Sequence, residues 1–347
     1  MFKSDFKKTA FSLIELSVVV LIIGILIAGI TAGSRLVRNS KLASAAQFTK
    51  SSDINSIPDL VLWLEPTQEN SFATTSTNSG NLTYANVASL QDANYIKDTL
   101  RPDNREYVAR WNDINPRAVP GNKKSVYQEV AAQRPMYIAN AINGLPALQF
   151  DGTESFLYSL NNNITPASPP LLEGDDSYTM IAVFSPNAVR FQAIIHQDVG
   201  SGDVFYRAAS IMTADSIFVM DGTMRNIILN TQQPVVQQRY IVAVTLEDSN
   251  VLATNNGSLY VNTSPLQPNN SSFIKTPIDT SDYNIGNGMF SLGIRARDNA
   301  KTNSPTGGGS KFSGLIGEVM VFDRALKNEE LDTIMKYLSK KWGIALK

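Results

Sequence analysis

Glu15 is the one ionisable side chain in an apolar stretch of twenty residues, 11–30. At about 1.5 Å per residue, a helix of this length spans the roughly 30 Å hydrocarbon core of a bilayer. A carboxylate costs about 2.5 to 3.5 kcal/mol on insertion, which the many aliphatic residues offset. No Lys, Arg or His lies between Lys8 and Arg35, so a cationic partner has to come from outside this stretch. An ionisable group in such a span predicts a functional site.

The residues around Glu15 form a recognisable signal. Lys3, Lys7 and Lys8 precede Ala10, and residues 11–16 read FSLIEL before an aliphatic run. This pattern resembles the class III signal of type IV prepilins and pseudopilins. The resemblance implies cleavage between Ala10 and Phe11 by a prepilin peptidase, followed by N-methylation of the new Phe11 amine. The family usually has Gly before the cut, where this chain has Ala10.

The resemblance also implies a role for Glu15 in assembly with other pilin or pseudopilin subunits. Cleavage would create a cationic amine at Phe11, and Glu15 of one subunit can pair with that amine on its neighbour. An unpaired carboxylate in an apolar medium is costly, so pairing would set the register of assembly. Two alternatives remain open, a cleaved secretory signal peptide and an uncleaved signal anchor that does not assemble.

The signal, the apolar stretch and Pro58 divide the chain into three segments. Residues 1–10 are expected to be a cleaved basic leader, and residues 11–51 a pilin-like helix whose residues 11–32 cross the membrane. Pro58 disfavours helix at the residue before it, so residues 52–347 are expected to form the head. The leader lysines favour a cytoplasmic N-terminus at a bacterial inner membrane, with the C-terminal domain outside the cytoplasm and then at a pilus, pseudopilus or cell surface.

Composition excludes several classes of function. The 347 residues carry a net charge of −1 with a pI near 6.0, which gives no indication of a nucleic-acid partner. The sequence has no Cys, which excludes disulfides and thiol catalysis. His196 is the single histidine, which argues against zinc enzymes and most Ser-His-Asp arrangements. Its position after an apolar run predicts a structural strand residue.

The head is expected to be mainly β. Short runs with a period of two indicate strands, and Asn256-Gly257 predicts a hairpin turn. Residues 328–342 predict one helix, capped by Asn328 and ended by Gly343, with an apolar stripe that packs on the sheets. Trp342 on that stripe is expected to lie in the core. The strand candidates are residues 60–64, 178–184, 193–196, 217–220, 240–245, 258–261, 291–296 and 315–322.

A second resemblance covers roughly residues 60–344. Residues 111–113 (WND), 142–152 (INGLPALQFDG) and 312–326 (FSGLIGEVMVFDRAL) occur in the order seen in bacterial laminin-G-like and concanavalin A-like jelly rolls. The resemblance implies an antiparallel β-sandwich, or jelly roll, with the C-terminal helix packed on it. It implies little about activity, because this fold serves lectins, hydrolases and adhesive modules.

No catalytic site is predicted, and the chain is not expected to be an enzyme. Residues 173–176 are the closest approach to the carboxylate pair of a glycoside hydrolase, but they read as a loop. No cofactor is expected, with calcium as the one alternative through Asp151, Asp175, Asp176, Asp298 and Asn299. Sugar contact would need exposed aromatic rings. The candidates are Tyr84, Tyr95, Tyr127, Tyr137, Tyr206 and Tyr283, each of which could equally pack within a sheet.

These features predict a pilin-like subunit, more consistent with a minor than a major component, of a type IV pilus or type II secretion pseudopilus. Its head would contact surface glycans or another adhesive target. The alternatives are a membrane-displayed lectin-like protein and, less favoured, a glycoside hydrolase.

Overall fold

The computed structural model describes residues 13–68, 70–74, 106–118, 123–159, 171–172, 177–197, 209–214, 217–221, 226–230, 233–246, 257–266, 290–295, 297–298, 305–306 and 310–347. The chain divides after Ser44 into two compact units. The first holds most of helix α1, Leu13–Lys50, and the second holds the last turn of α1 and the head.

The described part of the head is built from two antiparallel sheets and a small two-stranded ribbon. The strands are β1 Leu60–Leu64, β2 Phe72–Thr74, β3 Val108–Trp111, β4 Val126–Tyr127, β5 Met136–Ile142, β6 Leu145–Asp151, β7 Leu157–Tyr158, β8 Tyr178–Pro186, β9 Gln192–Gln197, β10 Ala209–Thr213, β11 Ile217–Asp221, β12 Asn226–Asn230, β13 Tyr240–Leu246, β14 Gly257–Val261, β15 Phe290–Leu292, β16 Arg297–Asp298, β17 Pro305–Thr306 and β18 Ser313–Phe322. The seven-stranded sheet has the order β14-β13-β8-β18-β6-β5, with β1 also paired to β18. The nine-stranded sheet has the order β12-β11-β10-β9-β15-β7-β4-β3-β2, and β16 pairs with β17.

Alternation along the central strands explains the layers. In β8, Met180, Ala182 and Phe184 face the core between the two sheets. Ile181 and Val183 on the same strand face the opposite way and belong to a second apolar cluster. Because successive strand side chains point to opposite faces, the seven-stranded sheet is buried on both sides.

The second cluster is closed by helix α2, Asn328–Trp342. Its stripe of Leu331, Ile334, Met335 and Leu338 is buried as the sequence predicts. Gly343 ends the helix at φ 61°, a left-handed conformation that glycine adopts without strain. The fold is therefore the expected one: mainly β, with a long N-terminal helix, an antiparallel sandwich and a C-terminal helix packed on it.

Three local predictions are corrected. Lys327, not Asn328, is the N-cap, and its backbone N–H donates to the side chain of Glu330 three residues later. The strand predicted at 291–296 is β15, Phe290–Leu292, since Gly293 takes a left-handed φ of 79°. Gly257 is not a turn residue: it pairs with Leu246 at the start of β14, and Asn256 lies outside the described residues.

Candidate functional site

Helix α1 exposes its apolar side chains. Leu13 is 85% exposed and Leu21 63%, and all described residues up to Ser34 are exposed. In the part of the chain that the structure describes, this helix is the one long and apolar enough to cross a membrane. Glu15 lies in its first turn. The predicted processing residues Ala10 and Phe11 lie outside the described residues.

The last turn of α1 packs on α2. Thr49 is buried and shares a 2.8 Å hydrogen bond with the hydroxyl of Tyr337. The ring of Phe48 stacks on Tyr337 with a centroid distance of 5.2 Å. Gln68, just beyond β1, donates to the carbonyl of Ala46 at 3.0 Å. These contacts fix the end of α1 within the head.

A cluster of three charged side chains lies beneath this turn. Lys341 of α2, Glu65 after β1 and Glu318 of β18 have fully buried side chains. The ammonium of Lys341 is 2.5 Å from Glu65 Oε1 and 2.9 Å from Glu318 Oε2. It also donates to Thr49 Oγ1 at 2.8 Å. We call Glu65, Glu318 and Lys341 the buried ionic cluster.

Aromatic donors surround Glu318. The indole N–H groups of Trp63 and Trp342 donate to its two oxygens at 2.8 Å each, and the Tyr337 hydroxyl donates at 3.1 Å. Burial raises the pKa of Glu318, and the charge of Lys341 offsets part of that rise. Burial also raises the pKa of Tyr337, and the two carboxylates raise it further. These donors compensate for the desolvation of the Glu318 carboxylate.

Local backbone geometry positions the two acids. Glu65 accepts hydrogen bonds from the backbone N–H groups of Thr67 and Gln68, so its carboxylate closes the turn after β1. The register of β18 shifts between Ile316 and Glu318, which directs Ile316 into the sandwich core and Glu318 toward α2. Gly317 lies at this bulge, where a Cβ would come 2.8 Å from the ring of Trp342.

Sequence reasoning did not identify the buried ionic cluster. It predicted Trp342 as a core residue, which is confirmed at 0% exposure, but it did not predict that the neighbouring Lys341 is buried. One signal was present: Lys341 follows Leu331, Ile334 and Leu338 by 10, 7 and 3 residues and therefore lies on the apolar stripe. A lysine on such a stripe predicts a buried acidic partner.

The nine-stranded sheet carries a second polar feature. Cross-strand pairing aligns six residues in one row: Arg110, Tyr127, Tyr158, Ser291, His196 and Ser210. Their strand neighbours Val126, Leu157, Leu292 and Ile211 face the core, so this polar row lies on the outer face of the sheet. Tyr127 is half-buried and the others are buried.

An acid lies beside the polar row. The hydroxyl of Tyr158 donates to Glu129 Oε2 at 3.2 Å. Burial raises the pKa of both groups, and the negative charge of Glu129 raises that of Tyr158 further. The row therefore combines a guanidinium, phenols, an imidazole and hydroxyls, which are groups that can hydrogen-bond a polyhydroxylated ligand.

The tyrosines predicted as candidates for sugar contact lie in different parts of the structure. Tyr127 lies in the polar row, whereas Tyr137 is 4% exposed and packs edge-on against Phe72 in the core. His196 is buried in β9, as expected for a structural strand residue, but it belongs to the polar row. Tyr84, Tyr95, Tyr206 and Tyr283 lie outside the described residues.

Asp151 closes a loop in this structure. Its Oδ1 accepts hydrogen bonds from the backbone N–H groups of Thr153, Glu154 and Ser155 at 2.8 to 2.9 Å. Burial alone would raise its pKa, but these hydrogen bonds hold the pKa of Asp151 well below its usual range. Asp175, Asp176 and Asn299 lie outside the described residues, as does the side chain of Asp298. Within the described residues, no group of three or more His, Cys, Asp or Glu is placed to hold a metal ion.

Comparison with known proteins identifies the N-terminal segment. Residues 5–31 match the prokaryotic N-terminal methylation motif, which is the prepilin-type signal. With the apolar helix, this motif indicates a membrane-anchored, type IV pilin-like protein. No curated protein matches the chain.

Solved structures similar to the chain are β-sandwich domains. Domain 4 of the GH43 extracellular arabinanase AbnA from Geobacillus stearothermophilus is 12% identical, with 58% of this chain and 81% of that chain covered and a TM-score of 0.37. A sialidase of Trypanosoma rangeli is 16% identical over 62% of this chain, which spans 31% of that enzyme, with a TM-score of 0.38. A pentraxin of Limulus polyphemus is 13% identical over 54% of this chain and 80% of that chain, with a TM-score of 0.38. The fold assignment rests on the two sheets themselves rather than on these similarities.

Proposed function

We propose that this protein is a pilin-like subunit, a minor rather than a major one, of a type IV pilus or type II secretion pseudopilus. The observation that carries the proposal is the methylation motif at residues 5–31, which opens a helix whose apolar side chains are exposed. Exposed leucines and isoleucines along a helix need either lipid or other apolar helices around them. A pilin-like subunit has lipid around this helix while it is in the inner membrane, and other apolar helices around it once it enters the filament.

Processing of the N-terminus is the first test. A prepilin peptidase would cut between Ala10 and Phe11, and a methyl group would then be added to the Phe11 amine. Mass spectrometry of the N-terminal peptide of the full chain, purified from membranes, should show a methylated Phe11. A mature protein that still carries the lysine-bearing leader would contradict the proposal.

Glu15 tests the assembly step. Its carboxylate would pair with the methylated Phe11 amine of a neighbouring subunit in apolar surroundings. We expect Glu15→Ala to leave membrane insertion intact and to abolish incorporation into sheared filaments, measured by immunoblotting. Ser17→Ala is a matched control, because Ser17 is exposed on the same helix and donates to the Ile14 carbonyl within it. Normal incorporation of Glu15→Ala would remove the assembly role.

For the head we propose glycan contact rather than catalysis. The seven-stranded sheet packs against the core on one face and against α2 on the other. The outer face of the nine-stranded sheet carries the polar row, in which Tyr127 is the half-buried residue. Sugar hydroxyls need polar groups beside an aromatic ring, and Tyr127 paired with Arg110 on the neighbouring strand supports the proposal.

A glycan array tests this assignment with the full chain in detergent. We expect selective binding that falls at least tenfold in Tyr127→Ala. Tyr260→Ala is the matched control, because Tyr260 is also half-buried but packs on the cluster beneath α2. Equal losses in both variants, or binding unchanged in Tyr127→Ala, would remove the polar row as the ligand site. Turnover of a polysaccharide by the wild-type chain would favour the hydrolase alternative.

A further inference from the structure

The buried ionic cluster holds the groups needed to form an amide bond. Lys341 supplies an amine, and Glu318 and Glu65 supply two carboxyl groups, all with fully buried side chains. We propose that Lys341 and Glu318 condense spontaneously to an intramolecular isopeptide bond, with Glu65 as the proton acceptor. The proposal stands on the geometry of the head and does not depend on assembly into a filament.

The driving force comes from the surroundings. An ammonium and two carboxylates in a dry core carry a large desolvation cost, which their mutual attraction only partly compensates. Condensation replaces one ammonium and one carboxylate by a neutral amide, so two buried charges disappear. Groups held in contact react as if present at about 10⁵ to 10⁸ M, which favours condensation over the open ion pair.

The assignment of roles follows from the hydrogen bonds. Glu318 is the electrophile, because the indole N–H groups of Trp63 and Trp342 contact its two oxygens and would stabilise the negative charge that develops there. Glu65 is the base, because its oxygen lies 2.5 Å from the Lys341 nitrogen. The backbone N–H groups of Thr67 and Gln68 hold Glu65 in that position.

The reaction balances without any other reactant. One proton passes from the ammonium of Lys341 to Glu318, which gives a neutral amine and a carboxylic acid. The amine nitrogen then bonds to the carboxyl carbon of Glu318 and loses a proton to Glu65. Glu65 returns that proton to the departing hydroxyl group, and one water leaves. The products are a Lys341–Glu318 amide, an ionised Glu65 and water, with no change in oxidation state.

The bond would have a structural consequence. It would join α2 covalently to β18, the central strand of the seven-stranded sheet. The last turn of α1 packs on the same helix through Thr49 and Phe48. In a chain without Cys, an isopeptide bond is a covalent cross-link that needs no oxidant.

Peptide mapping of the full chain tests the inference directly. The chain is purified in detergent, denatured, digested with a protease and analysed by tandem mass spectrometry. We expect a branched peptide that joins the Glu318 and Lys341 segments and is lighter than their sum by one water. Recovery of the two segments only as linear peptides from the wild-type chain would overturn the proposal, whatever the variants do.

Two variants sharpen the assignment of roles. Glu65→Gln retains both condensing groups but removes the base, and should yield mostly linear peptides. Lys336→Arg changes an exposed lysine on α2, N-terminal to Lys341, and should leave the branched peptide unchanged. A branched peptide joining Lys341 to Glu65 instead of Glu318, or full cross-linking in Glu65→Gln, would overturn the roles of electrophile and base assigned to the two glutamates.

Discussion

The two helices differ in where they place apolar and charged side chains. Helix α1 exposes leucines and isoleucines over residues 13–30, whereas α2 buries a lysine against two glutamates. Within the described residues, the apolar side chains of α1 are exposed and need an apolar environment around them. The charges of α2 are satisfied within the chain, by hydrogen bonds from aromatic side chains and backbone. One helix depends on its surroundings and the other on its own fold.

The difference has a consequence for mutations. Substitutions along residues 13–30 should affect insertion and assembly and leave the stability of the head unchanged. Substitutions in α2 should affect the free energy of unfolding of the head. Each of the following experiments tests that contrast in the full chain in detergent, with tryptophan fluorescence as the reporter, since all three tryptophans lie in the head and are buried.

Loss of Lys341 should produce the largest effect. Lys341→Met leaves Glu65 and Glu318 as two uncompensated carboxylates in a dry core, whether the wild-type Lys341 is an ammonium or is joined to Glu318 in the proposed amide. Removing one partner of a buried ion pair costs about 3 to 5 kcal/mol. Urea denaturation should show the loss as a lower midpoint.

Lys336→Met is its matched control on the same helix. Lys336 pairs with Asp332 but is 68% exposed, so its loss should cost about 1 kcal/mol or less. Equal shifts of the urea midpoint in the two variants would show that burial of Lys341 does not increase its contribution to the free energy of unfolding.

A Leu→Ala substitution in each helix should give the next largest difference in urea midpoint. Leu338→Ala removes a side chain that is 1% exposed beneath α2, and such cavities cost about 2 to 5 kcal/mol. Leu21→Ala removes one that is 63% exposed on α1, and the urea midpoint of the head should not change. A shift in the Leu21→Ala midpoint comparable to that of Leu338→Ala would contradict the expectation that residues 13–30 of α1 do not contribute to the stability of the head.

Removal of one indole donor should have a smaller effect. Trp342→Phe keeps an aromatic ring but removes the N–H that donates to Glu318 at 2.8 Å. This hydrogen bond contributes about 1.5 to 3 kcal/mol where Glu318 is a charged carboxylate, and about 0.5 to 1.5 kcal/mol where Glu318 has become the proposed amide. Trp111→Phe is the control, because Trp111 is equally buried but donates to a neutral carbonyl, that of Glu65, at 3.4 Å. A larger loss in Trp111→Phe would contradict the role assigned to Glu318.

The sequence predicts the features that depend on neighbouring residues. The apolar span, its acid and the signal before it lie within thirty residues, and the period of two locates β8, β13 and β18. The stripe of α2 is also local, with spacings of three and four residues. In each case, one helix or strand determines which side chains share a face.

The buried ionic cluster and the polar row were not predicted because they depend on tertiary pairing. Glu65 and Lys341 are 276 positions apart, and the bulge at Gly317 decides which way Glu318 points. The polar row requires the register of six strands at once, from Arg110 in β3 to Ser210 in β10. No local spacing carries that information, although the lysine on the apolar stripe pointed to part of it.

Asp151 provides the smallest expected effect, and it tests whether an exposed carboxylate behaves differently from the buried ones. Hydrogen bonds from three backbone N–H groups hold its pKa below the usual range, so the folded state favours the ionised form. A lowered pKa contributes stability above the unfolded-state pKa of about 3.9, and that contribution is lost as the pH falls below it. Because the side chain is exposed, the contribution should be below about 1 kcal/mol.

Urea midpoints measured between pH 7 and pH 3 test this expectation. Asp151→Asn should lower the midpoint at pH 7 and match the wild-type chain more closely at pH 3, because at pH 3 Asp151 of the unfolded wild-type chain takes up a proton and the advantage of the folded carboxylate shrinks. Glu154→Gln is the control, since Glu154 lies in the same loop, is exposed, and pairs with Lys311 at 3.3 Å. If Asp151→Asn lowers the midpoint equally at both pH values, the loop depends on the shape of the side chain rather than on its charge. Charge would then contribute to stability only where it is buried, as it is beneath α2.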